Sequence, residues 1–108
     1  MAAKIFSSKM INTTIWEHVV TGNPGYESTI TINISNHNSF DVSVSLALTV
    51  SASIPLVSAK DVLFLDQLVY SRNTRQFPGI ILPENISLAV KSDYPNVSIL
   101  VYGYEEEI

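Results

Sequence analysis

The chain is predicted to be all-β: an antiparallel, jelly-roll-like β-sandwich entered by an extended N-terminal arm. Two patterns and their punctuation carry that prediction. From Ser39 to Ser51 the sequence reads SFDVSVSLALTVS, with Phe40, Val42, Val44, Leu46, Leu48 and Val50 on one parity. Asp41, Ser43, Ser45, Ala47, Thr49 and Ser51 fill the other. Strict alternation over that length marks a strand burying one face and wetting the other. The pattern recurs at Ile30, Ile32 and Ile34, at Ile86, Leu88 and Val90, and at Val97, Ile99 and Val101, and no stretch has comparable helical spacing. Turns rich in Gly, Pro and Asn divide the chain into about seven or eight short strands, the spacing of a sandwich or jelly roll.

Taken in order, residues 1–12 form the arm and residues 13–108 the sandwich domain. The arm holds Ile5, Phe6, Met10 and Ile11 without a turn signal, and reads as an extended tether or a lone edge strand. Thr13–Val20 is the first confident strand. Thr21–Gly25 (TGNPG) is a turn, its glycines suited to positive φ and Pro24 fixing the bend. The strand Tyr26–Ser35 follows, and Asn36–Ser39 is expected to pair it with Phe40–Ser51 as a hairpin. The uncharged, β-prone Val42–Val50 segment belongs inside a sheet, where its edges cannot recruit other chains.

Ile54-Pro55-Leu56 breaks the run. In Asp61–Ser71, Val62, Phe64, Leu65 and Leu68 could share one face of a short helix. The β-branched and aromatic content favours a strand, with a bulge or bend at Asp66-Gln67. Ser71–Phe77 is polar and reads as the most exposed connection. Pro78-Gly79 turns into Ile80–Leu82, and Pro83-Glu84-Asn85 turns again into Ile86–Lys91. Asp93–Asn96 is expected to join that strand to Val97–Tyr104 as a hairpin, before the solvated acidic stub Glu105–Glu107.

Composition narrows the function classes. The 108 residues allow one domain with one core. Charged residues make up 15% of the chain and hydrophobic ones 46%, more apolar surface than a small domain easily hides, so self-association or a partner is expected to cover part of it. The six basic residues are scattered and the net charge is −4, which argues against binding nucleic acid or docking to an anionic membrane. There is no cysteine, which excludes disulfides, thiolate metal sites and a cysteine nucleophile. The stretch 42–59 is uncharged, but alternating serines and Pro55 disqualify it as a membrane span. The N-terminus lacks the apolar centre of a signal peptide, so the expectation is a protein made and folded in a cytoplasm.

Chemical equipment is sparse. His18 and His37 are the only imidazoles, and Glu17 beside His18 points to the opposite face of a strand, so no metal site is expected. No Gly-X-Ser-X-Gly elbow and no phosphate-cradling loop occurs. The carboxylates Asp61 and Asp66, or Glu84 and Asp93, could approach one another, but turn or edge solvation accounts for all four. No catalytic residue, no cofactor and no enzymatic activity are expected. Aromatic residues point elsewhere. On the last strand Leu100, Tyr102 and Tyr104 share one parity while Val97, Ile99 and Val101 share the other, so both faces are apolar. One face fills the sandwich; the other meets a neighbour, or lies under a loop or the arm. Tyr94, Tyr102 and Tyr104, with Tyr70 and Trp16, are aromatic candidates for an interface or a sugar-binding face. Arg72 and Arg75 are candidates for charged contacts to an acidic partner.

From Gly22 to Glu106 the chain resembles a family of small tailed-phage virion proteins. The resemblance rests on the succession ITINISNHN, VSVSLALTV, ASIPLVSAKDVLFLDQLVY, ILPENISLAVKS and NVSILVYGYEE. It departs from the family pattern at Glu84-Asn85, where Gly-Asp is usual, and at TGNPG, where a Val-Pro-Ala-Gly lead-in is usual. The resemblance implies a non-enzymatic virion protein. The expectation is a capsid decoration or cement subunit that forms a homotrimer, binds the major capsid protein and uses the N-terminal arm as a tether. The alternative is an adhesion or glycan-binding module of the neck, tail or fibre.

Overall fold

Eight strands run through the computed structural model, which describes residues 3–50 and 61–108. They are β1 (Ala3–Ile11), β2 (Glu17–Thr21), β3 (Tyr26–Asn36), β4 (Val42–Thr49), β5 (Val62–Val69), β6 (Thr74–Leu82), β7 (Ser87–Ser92) and β8 (Val97–Glu107). Two antiparallel four-stranded sheets result, ordered β1-β8-β3-β6 and β2-β7-β4-β5. The pairing is nested: first strand with last, second with seventh, third with sixth, fourth with fifth. A chain folded once into a long hairpin and then rolled up gives this order. The sandwich is therefore a jelly roll.

The period-two rows supply the core between the sheets. Ile30, Ile32 and Ile34 of β3 and Val97, Ile99 and Val101 of β8 face Val42, Val44 and Leu46 of β4 and Leu88 and Val90 of β7. Each such side chain, fully withdrawn from water, contributes about 1.5–3 kcal/mol relative to an exposed one. The alternation in β4 holds only in part. Phe40 and Val50 lie beyond its ends and are 45% and 82% exposed, while Ala47 and Thr49, on the expected wet parity, are buried opposite Ala89 and Ser87.

Several local expectations change in the folded chain. Neither Asn36–Ser39 nor Asp93–Asn96 closes a hairpin, because β3 and β4, like β7 and β8, lie in different sheets. Both segments are corners between layers. Turn residues specify that the chain reverses, and the nested pairing decides which sheet it enters. Pro78-Gly79 is a bulge inside a continuous β6: Ile30 pairs with Ile80 and Ile32 with Phe77, so the strand gains a residue where Gly79 takes φ 71°. Proline is tolerated there because β6 is an edge strand. The expected first strand begins at Glu17 rather than Thr13. Asp61–Ser71 contains a strand with its bulge at Leu65-Asp66, where Asp66 has φ 48°. The break at Ile54-Pro55-Leu56 lies outside the described residues.

Of the two readings of the N-terminal segment, the edge strand is the one observed. Residues 3–11 pair along β8 from Ala3 opposite Tyr104 to Ile11 opposite Val97. All four edge strands carry a bulge of their own: β1 at Phe6, β2 at Val19, β5 at Asp66 and β6 at Pro78-Gly79. The interior pairs β3–β8 and β4–β7 run without interruption. As expected, β4 is interior, flanked by β7 and β5.

Candidate functional site

The outward parity of β8 builds the most conspicuous surface. Val97, Ile99 and Val101 are buried in the core, so Leu100, Tyr102 and Tyr104 stand on the outer face of the β1-β8-β3-β6 sheet. Register brings β1 side chains beside them. Ile5 pairs with Tyr102, Ser8 with Leu100 and Met10 with Ser98. Ile5 is 67% exposed, Met10 43% and Tyr104 48%, with Leu100 and Tyr102 half-buried. Ala3, Lys4, Ile5, Leu100 and Tyr102 line a shallow apolar groove of about 550 Å³.

The groove has a fixed wall. Gln76 of β6 donates through Nε2 to the Tyr102 hydroxyl at 3.0 Å and to Asn33 Oδ1 at 3.2 Å, reaching across β3. The ring of Tyr102 is thus held at both its backbone and its polar tip. Lys4 marks the rim: its Nζ bonds Glu105 at 2.8 Å and lies 5.0 Å from the Phe6 ring centre. Hydrogen bonds from Lys4 and Asn23 hold the Glu105 carboxyl below its usual range. An apolar depression bordered by a satisfied ion pair suits a protein surface better than a small charged ligand.

The sequence-predicted residues divide among several places. Ile5, Met10, Leu100, Tyr102 and Tyr104 converge on this one face. Phe6 and Ile11 do not: the bulge at Phe6 turns its ring toward the core, and Ile11 is wholly buried. Trp16 lies beside the other sheet, away from the tyrosines, and lines a small cleft there. Arg72 occupies the tight β5–β6 turn with φ 56° and is exposed.

Arg75 was expected in a free loop, but β6 already begins at Thr74. Its guanidinium donates to the Leu68 carbonyl through Nη1 and to Gln67 Oε1 through Nη2, both at 2.9 Å, and lies 5.3 Å from the Phe77 ring centre. It is a strut joining the edges of the two sheets. Tyr94, another aromatic candidate, packs edge-on against Phe40 with ring centres 4.8 Å apart.

Sequence reading missed Gln76 and Asn33, since nothing along the chain says that β6 and β8 flank β3. Of the carboxylates considered as pairs, Glu84 accepts the Gly25 amide at 2.6 Å and so braces a turn, whereas Asp66 and Asp93 share the cleft of Trp16. Among the described residues no group of three or more His, Asp or Glu is placed to hold a metal ion, and no helix is long and apolar enough to cross a membrane.

Connectivity and surface together define a jelly-roll β-sandwich with an open apolar strip along one outer sheet face. No protein-family model, curated protein or solved structure matches the chain.

Proposed function

We propose that this chain is a non-enzymatic structural protein of a phage virion, a decoration subunit that trimerises and binds the outer surface of the head shell. The observation that carries the reading is the strip of Ile5, Met10, Leu100, Tyr102 and Tyr104, gathered on one outer sheet face beside an apolar groove. Apolar side chains gathered on one sheet face gain free energy when a flat partner covers them. Repeated over a lattice, a modest contact of this kind becomes durable through avidity. The jelly roll supports the reading by analogy, since capsid proteins use it, though lectins use it as well.

The strip replaces a flexible tether as the adhesive element, because residues 3–11 are committed to the sheet. The exposed Arg72 remains available for an acidic neighbour. The test is co-sedimentation of the purified chain with heads and, separately, tails from the virion that carries it. Saturable binding to heads, and its loss in an Ile5→Asn/Leu100→Thr double variant that stays folded, is the expected result. Binding to tails alone moves the protein to the neck, tail or fibre, and binding to neither overturns the reading.

A further inference from the structure

On the opposite sheet, register assembles a second site that no single stretch of sequence contains. Glu17 of β2 pairs with Val90 of β7, which sets Trp16 across from Lys91, and Lys91 pairs with Ser45 of β4. At the β5 bulge the Asp66 amide donates to Ser45 Oγ at 3.0 Å and ends the row. Alongside it, the Ser43 amide donates to Asp93 Oδ1 at 2.9 Å, and the Asp93 amide donates to the Ser43 carbonyl at 3.1 Å. Val44, Leu46 and Val90 take the inward positions, so Ser43, Ser45 and Lys91 lie on the outer parity. With Leu65 these residues line a cleft of about 200 Å³.

Its chemistry is mixed in a particular way. The half-buried indole of Trp16 supplies an apolar ring face. Neither the Lys91 ammonium nor the Asp66 carboxylate is held by another described side chain, and Asp93 uses only Oδ1. One strong donor and two acceptors therefore surround an aromatic wall. An anion would meet two carboxylates. A metal ion would meet an ammonium and has no use for the indole. A pyranose ring suits all of it: its C–H face lies on the tryptophan while its hydroxyls donate to carboxylate and accept from ammonium.

We infer that the cleft bounded by Trp16, Lys91, Asp66 and Asp93 binds a single hexopyranose unit of a carbohydrate. This site does not rest on the shell-binding reading, because it occupies the other sheet and uses none of the same side chains.

Trp16 is the only tryptophan, so its emission reports this cleft alone. The full chain is titrated with the methyl glycosides of glucose, galactose, mannose and N-acetylglucosamine. At least one is expected to change the emission saturably. Asp66→Asn and Lys91→Met should each weaken that response about tenfold or more, since each removes a charged hydrogen-bonding partner. Asparagine tolerates the positive φ at position 66, so the fold is retained, as circular dichroism will verify. The Ile5→Asn/Leu100→Thr variant should respond as the parent does, which separates this site from the shell-binding face. Absence of a saturable change with all four sugars overturns the inference. So does an undiminished response in both cleft variants, which would place the sugar elsewhere.

Discussion

Asn36 shows how one polar side chain can fix a corner. It is buried at the end of the inward row Ser28, Ile30, Ile32, Ile34, and its Nδ2 donates to the Phe40 carbonyl at 2.7 Å and the Val69 carbonyl at 3.1 Å. Its Oδ1 accepts from the Asn38 amide at 2.9 Å and from Asn38 Nδ2 at 3.0 Å. Asn36→Ala removes these hydrogen bonds at a buried position and should cost about 1–3 kcal/mol in urea unfolding. At the other end of the row Ser28 is buried, and its hydroxyl has no partner among the described residues. Ser28→Ala should therefore range from neutral to about 1 kcal/mol more stable in the same assay.

His18 gives a pH dependence. Burial, and then the nearby Lys9 charge, hold its pKa below 6.5, and its Nε2 is 2.7 Å from Thr21 Oγ1. The unfolded chain then binds the proton more readily than the folded one. This group's contribution to stability is complete above pH 6.5 and declines as pH falls toward the lowered folded pKa. Between pH 7 and pH 5 the parent should lose more stability than His18→Gln, measured by denaturant midpoints at each pH.

Among elements, the edges are the most informative. An unbroken edge strand offers free amides and carbonyls to any other chain, and a bulge interrupts that ladder. Bulges here occur on β1, β2, β5 and β6, the four edges, while the interior pairs are regular. Strand β1 also protects β8. Deleting residues 1–9 would uncover the edge of β8 and remove Phe6, which packs on the core. The expected outcome is aggregation or loss of soluble protein, followed by size exclusion, rather than the selective loss of shell binding that a free tether would give. An Ile5→Asn substitution alters the outer face without touching that ladder.

For the whole molecule, the nested pairing places two unlike faces on opposite sides of one core. The β1-β8-β3-β6 face is apolar along one strip, and the β2-β7-β4-β5 face holds the mixed cleft of Trp16. A subunit built this way can attach by one sheet and present the other. Light scattering across a dilution series should give a trimer that resists dilution, and the Ile5→Asn/Leu100→Thr variant should stay trimeric, since the strip is assigned to the shell. A parent that is monomeric throughout would overturn the trimer and leave the strip for the shell.

Much of the fold can be read along the chain. Period-two rows in β3, β4, β7 and β8 determine all-β structure and most of the core, because side-chain alternation is a local property of an extended backbone. The bulge at Asp66, the interior place of β4 and the two-sided apolarity of β8 follow from residue type in the same local way. Partner choice does not. Whether Asn36–Ser39 closes a hairpin or rounds a corner depends on β6 and β8 flanking β3, contacts between residues far apart in sequence. For the same reason the chain alone names Trp16 but not Lys91, Ser45 and Asp66 beside it. It also names Arg75 but not the carbonyl of Leu68 that ties it down. Pattern determined which residues turn inward, and only the rolled-up pairing decided which outward residues meet, because register is set by packing the two sheets together.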